Sequence, residues 1–134
     1  MPWTDRDEIR LFFDDLGSGR PILLLHSFLC SREMWSYQAA DLARSYRVVN
    51  ADLRGHGDSG PAEAPFTLDD LVDDAVVVLD HLGIERAVWA GLSIGGMIAL
   101  RAALIAPDRV DALIVADSSA ERDPLLQRAK HRLL

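Results

Sequence analysis

Short apolar runs and stretches with apolar residues every three or four positions alternate along this chain. Ile9 to Asp14 reads as a first strand, closed by the turn-forming run Asp15-Leu16-Gly17-Ser18-Gly19. Pro21 to Leu25 is continuously apolar, as in a strand buried on both faces. After a loop from His26 to Ser31, Glu33 to Ser45 has helical spacing, with Met34, Tyr37, Ala40 and Leu42 as its inner face. Tyr46 to Ala51 is the next strand, and Asp52 to Gly60 a glycine-punctuated loop. Thr67 is placed to cap a helix in which Leu68, Leu71, Val72, Ala75, Leu79 and Leu82 recur on one face and Gly83 closes the last turn. Ala87 to Leu92 is a strand, and Ile94 to Ala106 a helix apolar on most sides and therefore expected to be buried, stopped by Pro107. Ala112 to Ala116 reads as one more short buried strand, and Pro124 to Leu134 as a last helix. Alternating strands and helices predict an α/β fold, a mostly parallel sheet with helices on both faces. Without a repeat or linker, the 134 residues suit one domain, 1–134.

The chemistry concentrates at Gly91-Leu92-Ser93-Ile94-Gly95, between the strand from Ala87 and the apolar helix. Gly-x-Ser-x-Gly in a strand–turn–helix context is the pattern of a nucleophile elbow. A serine in so sharp a turn has a strained backbone, and its neighbours two residues away on either side come close together. Gly91 and Gly95 have no Cβ to clash there. The turn also places Ser93 at a helix N-terminus, where free N–H groups and the helix dipole favour a developing oxyanion.

Composition narrows the classes. Net charge is −7, which argues against nucleic acid and anionic membrane surfaces as partners. No apolar run reaches membrane-spanning length. The acidic start, Met1-Pro2-Trp3-Thr4-Asp5, lacks the apolar core of a signal peptide. Cys30 is the single cysteine, which leaves no internal disulfide and no thiolate metal cluster. A cytoplasmic enzyme without metal or cofactor is the expectation.

Three segments together carry a family resemblance. His26-Ser27-Phe28, Asp52-Leu53-Arg54-Gly55-His56-Gly57-Asp58-Ser59 and Gly91-Leu92-Ser93-Ile94-Gly95 each follow a predicted strand. In order and spacing they resemble the N-terminal half of the α/β-hydrolase superfamily. His26-Ser27 with Met34-Trp35 downstream is most similar to its esterase and 3-oxoadipate enol-lactonase-like branch. The resemblance implies hydrolysis of small carboxylic esters or lactones through an acyl-enzyme on Ser93, with the N–H groups of Phe28 and Ile94 as oxyanion hole. His26 would brace its loop, and Asp52, Arg54, Gly55 and Gly57 would shape the loop beside the elbow. Many relatives have glycine where Ser27 stands. Relatives are also usually about twice as long, so the resemblance implies a truncated fold lacking the cap, the last strands and the usual triad acid and histidine. A silent fragment acting as a binding module is therefore the alternative, and a haloperoxidase or perhydrolase side activity a third reading.

A triad could still be completed within the chain. Strands of a parallel sheet end on one side, so Asp117, closing the last strand, should lie near Ser93. His131 is the only histidine after it. On a helix it would sit about 10 Å along from Pro124, beside Lys130 and Arg132, and so reach Ser93 only if that helix folds back or docks on a second chain. His56 and His81 are weaker candidates for the base. The last predicted strand would be an apolar sheet edge open to pairing, which predicts a homodimer or higher homo-oligomer.

Overall fold

The runs at Pro21, Arg47 and Ala87 form the parallel centre of a six-stranded sheet in the computed structural model, which describes residues 2–119. The strands are β1 (Trp3–Arg6), β2 (Ile9–Gly17), β3 (Pro21–Leu25), β4 (Arg47–Ala51), β5 (Ala87–Leu92) and β6 (Val110–Ala116). They lie in the order β1-β2-β4-β3-β5-β6. The last four of that series run parallel, while β1–β2 and β2–β4 pair antiparallel.

Side chains alternate across a strand, so each central strand feeds two cores. Leu23, Leu25, Val49, Ala51 and Trp89 pack with α2 (Leu68–His81) and α3 (Ile94–Ile105) on one face. Ile22, Leu24, Val48, Val88 and Ala90 pack with α1 (Ser36–Leu42) on the other. Each leucine removed from water in this way contributes about 2 kcal/mol. Helices thus cover both faces. Among the described residues, no helix is long and apolar enough to cross a membrane.

Several boundaries differ from the sequence expectation. β2 runs on to Gly17, through the stretch that reads as a turn, because Asp15 to Gly17 pair with Arg47 to Val49 of β4. Arg47 fastens that pairing by donating to both Asp15 carboxylate oxygens at 3.0 and 2.9 Å. β1 was not expected. It joins β2 by a two-residue turn in which Asp7 and Glu8 both have positive φ, a hairpin conformation usually signalled by Asn-Gly. The segment after Ser31 begins as a 3-10 turn, Arg32–Trp35, before α1. Its inward residue is Ala39, with Trp35, Leu42 and Ala43 packed alongside, whereas Tyr37 is 89% exposed. The helix is short, and only this narrow stripe meets the sheet.

α2 begins at a capping box in which Thr67 and Asp70 satisfy each other's backbone N–H, and Gly83 ends it at φ +68°. α3 is buried only along Gly95, Gly96, Ile98, Ala99 and Ala102; Leu104 and Ile105 are exposed. β6 was expected to be buried and is not: Ile114 is 55% and Val115 38% exposed. Among the described residues β6 pairs only with β5, so one of its edges has no strand beside it.

Candidate active site

β5 ends at Leu92 and α3 starts at Ile94, so Ser93 alone makes the turn. Its φ of 55° and ψ of −116° lie in a region that costs a non-glycine residue about 1–3 kcal/mol unless its surroundings impose it. Here they do. The Ser93 N–H donates to the Ala116 carbonyl at 3.0 Å, and the Ser93 carbonyl accepts from the Met97 N–H at 3.1 Å and from Ser118 Oγ at 2.7 Å. A Cβ at Gly91 would strike the Gly95 carbonyl, and a Cβ at Gly95 would strike the Leu25 carbonyl. Gly96 lets Ser118 approach, since a Cβ there would come within 2.7 Å of Ser118 Cβ. The serine side chain makes no capping hydrogen bond and is exposed. Its hydroxyl therefore stands free at the N-terminus of a 12-residue helix.

The close approach of Gly95 to Leu25 seats the start of α3 on the end of β3. The loop leaving β3 is sewn to the elbow as well, because Ser27 Oγ donates to the Leu92 carbonyl at 3.3 Å. Ser27 is thus a tether between this loop and the elbow. Phe28 follows in this loop. Among the described residues no acceptor takes the N–H of Phe28 or of Ile94. Ile94 is the first residue of α3, and its N–H is one of the donors every helix leaves unpaired.

Asp117 also lies at this end of the sheet, at φ +43°, between Ala116 and Ser118, which both bond the Ser93 backbone. The structure thus brings Ser93, Gly91, Gly95, Ile94, Phe28 and Asp117 to one end of the parallel strands. His131 lies outside the described residues.

His26 and His56 are committed to backbone groups. A carbonyl can only accept and an amide N–H only donate, so each neighbour fixes a tautomer. His26 Nδ1 donates to the Ser27 carbonyl at 2.8 Å and its Nε2 accepts from the Leu53 N–H at 2.9 Å. His56 Nδ1 donates to the Arg54 carbonyl at 2.9 Å and its Nε2 accepts from the Leu29 N–H at 3.1 Å. Neither ring has a nitrogen left to take a proton from Ser93. Burial pushes the His26 pKa below the usual histidine value, against the opposing hydrogen bond to Ser27. His81 sits in the last turn of α2 with its ring against Phe13 of β2, at 5.9 Å, and β4 and β3 lie between β2 and the elbow strand β5.

The loop from Asp52 to Gly60 underlies this arrangement. The buried Asp52 carboxylate accepts from the backbone N–H of Arg32 at 2.7 Å, from that of Asp58 at 2.9 Å, and from the Arg32 guanidinium. Burial alone would lower the Arg32 pKa, but its hydrogen bond to Asp58 and the charges of Asp52 and Asp14 hold it raised. Gly57, at φ +52°, lies where any Cβ would strike the Asp52 carboxylate. Arg54 forks onto Asp74 of α2 with two bonds of 2.7 Å, both side chains buried. Ser59 Oγ accepts from the Phe12 N–H and donates to the Asp52 carbonyl, each at 2.9 Å. Ser118 and Asp74 take part in these contacts and carry no sequence signal of their own, since each acts through a partner distant along the chain.

The alpha/beta hydrolase fold family matches residues 20–132. The chain belongs to that family. Among α/β-hydrolases it is 36% identical over 103 residues to 3-oxoadipate enol-lactonase 2 of Acinetobacter baylyi, covering 76% of this chain and 39% of that protein. A thermophilic esterase from Thermogutta terrifontis superposes with a TM-score of 0.89 at 36% identity, covering 98% of this chain and 50% of the esterase. Est816, described as an N-acyl homoserine lactone degrading enzyme, superposes with a TM-score of 0.87 at 34% identity, covering 97% of this chain and 52% of Est816. The chain spans about half the length of these α/β-hydrolases, or less.

Proposed function

We propose that the chain carries the nucleophile and oxyanion hole of a serine hydrolase acting on small carboxylic esters or lactones. The observation that carries this reading is the Ser93 backbone at φ 55°, ψ −116°, with the side chain exposed and uncapped at the start of α3. Esterase and lactonase relatives support the substrate class.

In this reading Ser93 Oγ attacks the carbonyl carbon while its proton passes to an imidazole. The carbonyl oxygen becomes an oxyanion held by the N–H groups of Phe28 and Ile94. The alcohol leaves with the proton returned by the imidazole, and water then releases the acid from the acyl-enzyme. His131 is the base this sequence offers, with Asp117 as its acid. The exposed outer edge of β6 supports the companion proposal of self-association, through which His131 would reach the Ser93 of a second copy.

Turnover of an activated short-chain ester tests the reading. Ser93→Ala should lose at least about a thousandfold in rate, and His131→Ala should abolish turnover. Hydrolysis that survives Ser93→Ala would overturn the assignment. The alternative, a silent binding module, is favoured by one observation: neither His26 nor His56 offers Ser93 a free ring nitrogen. A folded wild-type chain with no Ser93-dependent turnover would support it.

A further inference from the structure

Of the three consecutive amides that follow His26, only the middle one is left without an acceptor. The Ser27 N–H donates to Met34 Sδ at 3.3 Å, and the Leu29 N–H donates to His56 Nε2 at 3.1 Å. Between them the Phe28 N–H has no acceptor among the described residues. The peptide unit that carries it is fixed from its other end. The Ser27 carbonyl accepts from the Cys30 N–H at 3.1 Å and from His26 Nδ1 at 2.8 Å. A trans peptide is planar, so holding that carbonyl aims the Phe28 N–H the opposite way.

Leu29 needs such restraint. It sits at φ +60° with its side chain 81% exposed, so packing does not hold its conformation. His56 is itself locked by its bond to the Arg54 carbonyl and by ring contacts with His26 at 5.2 Å and with the edge of Phe28 at 5.5 Å. Met34 belongs to the 3-10 turn whose first residue, Arg32, is anchored on Asp52.

We infer that Met34 and His56 are positioning residues that hold the amides on either side of Phe28 and so aim its N–H as an oxyanion donor. The inference rests on the reading of Ser93 as nucleophile.

Met34→Leu keeps most of the volume and loses the sulfur acceptor; His56→Phe keeps a ring and loses both bonds. Each should lower kcat for an activated short-chain ester by about tenfold to a hundredfold, the cost of a misplaced oxyanion donor, with KM changed less than about threefold. Each should weaken binding of phenylboronic acid, whose serine adduct mimics the tetrahedral intermediate, by the same factor. His56→Gln, with a side-chain carbonyl to accept the Leu29 N–H, should recover most of the loss. Unchanged boronic acid affinity in both variants would overturn the inference. Hydrogen exchange at the Leu29 amide, read by nitrogen-15 NMR, tests it without turnover. It should speed up by about tenfold or more in His56→Phe, and an unchanged rate also overturns the inference. Ser93→Ala separates the two failures. Hydrolysis that survives it rejects the nucleophile, while Ser93-dependent hydrolysis untouched by the other substitutions rejects only the clamp.

Discussion

Replacing Arg54 with alanine should destabilise the protein far more than an ordinary surface substitution. Arg54 donates two 2.7 Å bonds to Asp74, and both side chains are buried. Removing one partner of a buried pair typically costs about 3–5 kcal/mol, because the other charge is left in a poor solvent. Asp74 keeps one cation, since Arg6 Nη1 lies 2.9 Å from its Oδ1, and that argues for the low end, about 3 kcal/mol. For 134 residues, an unfolding entropy near 2.1 cal/mol/K per residue converts this to a Tm loss of roughly 10 °C. Urea unfolding with a shared m-value measures the loss directly. A double-mutant cycle with Asp74→Ala should be strongly non-additive, because removing both charges leaves less uncompensated than removing one. A loss below about 1 kcal/mol, or additive single effects, would mean that the pair is solvated and does not clamp the Asp52 to Gly60 loop onto α2.

Three further outcomes are expected. His26 has a folded pKa below its unfolded value of about 6.5, so the unfolded chain binds the extra proton. Stability should be full above about pH 6.5 and fall as pH drops from there towards the folded pKa, by at most about 1.4 kcal/mol per unit. His26→Gln should flatten that part of a urea-unfolding pH series, and an unchanged slope would refute it. Gly95→Ala should leave little folded protein, since its Cβ strikes the Leu25 carbonyl, while Gly83→Ala, which meets nothing within 4 Å, should lose only the strain of φ +68°; circular dichroism melts compare the two. Sedimentation equilibrium at micromolar concentration should give more than one chain mass, and a single-chain mass would remove the case for a site completed in trans.

The elements that the sequence revealed are those whose signal is local. Pro21 to Leu25 and Ala87 to Leu92 are apolar throughout because both faces are covered, and Gly91 and Gly95 mark a turn that admits no Cβ. What it hid depends on partners far along the chain. β2 extends through an apparent turn because β4 lies beside it. Asp74 stands outside the apolar repeat of α2, and only the fold brings Arg54 and Arg6 to it. His56 reads as part of a glycine-rich loop, although its bond to the Leu29 N–H crosses 27 positions of sequence. Ser118, 25 positions from Ser93, is a similar case. Periodicity carries burial and turn chemistry well, but it cannot say which polar groups meet.

If Ser93 is the nucleophile, it becomes acylated during turnover. The chain is mixed with an activated short-chain ester, quenched in acid during turnover, digested, and the peptide holding Ser93 weighed by mass spectrometry. One added acyl group is expected on Ser93, absent from Ser93→Ala. Turnover with Ser93 unmodified, or the acyl group on another residue, would contradict it.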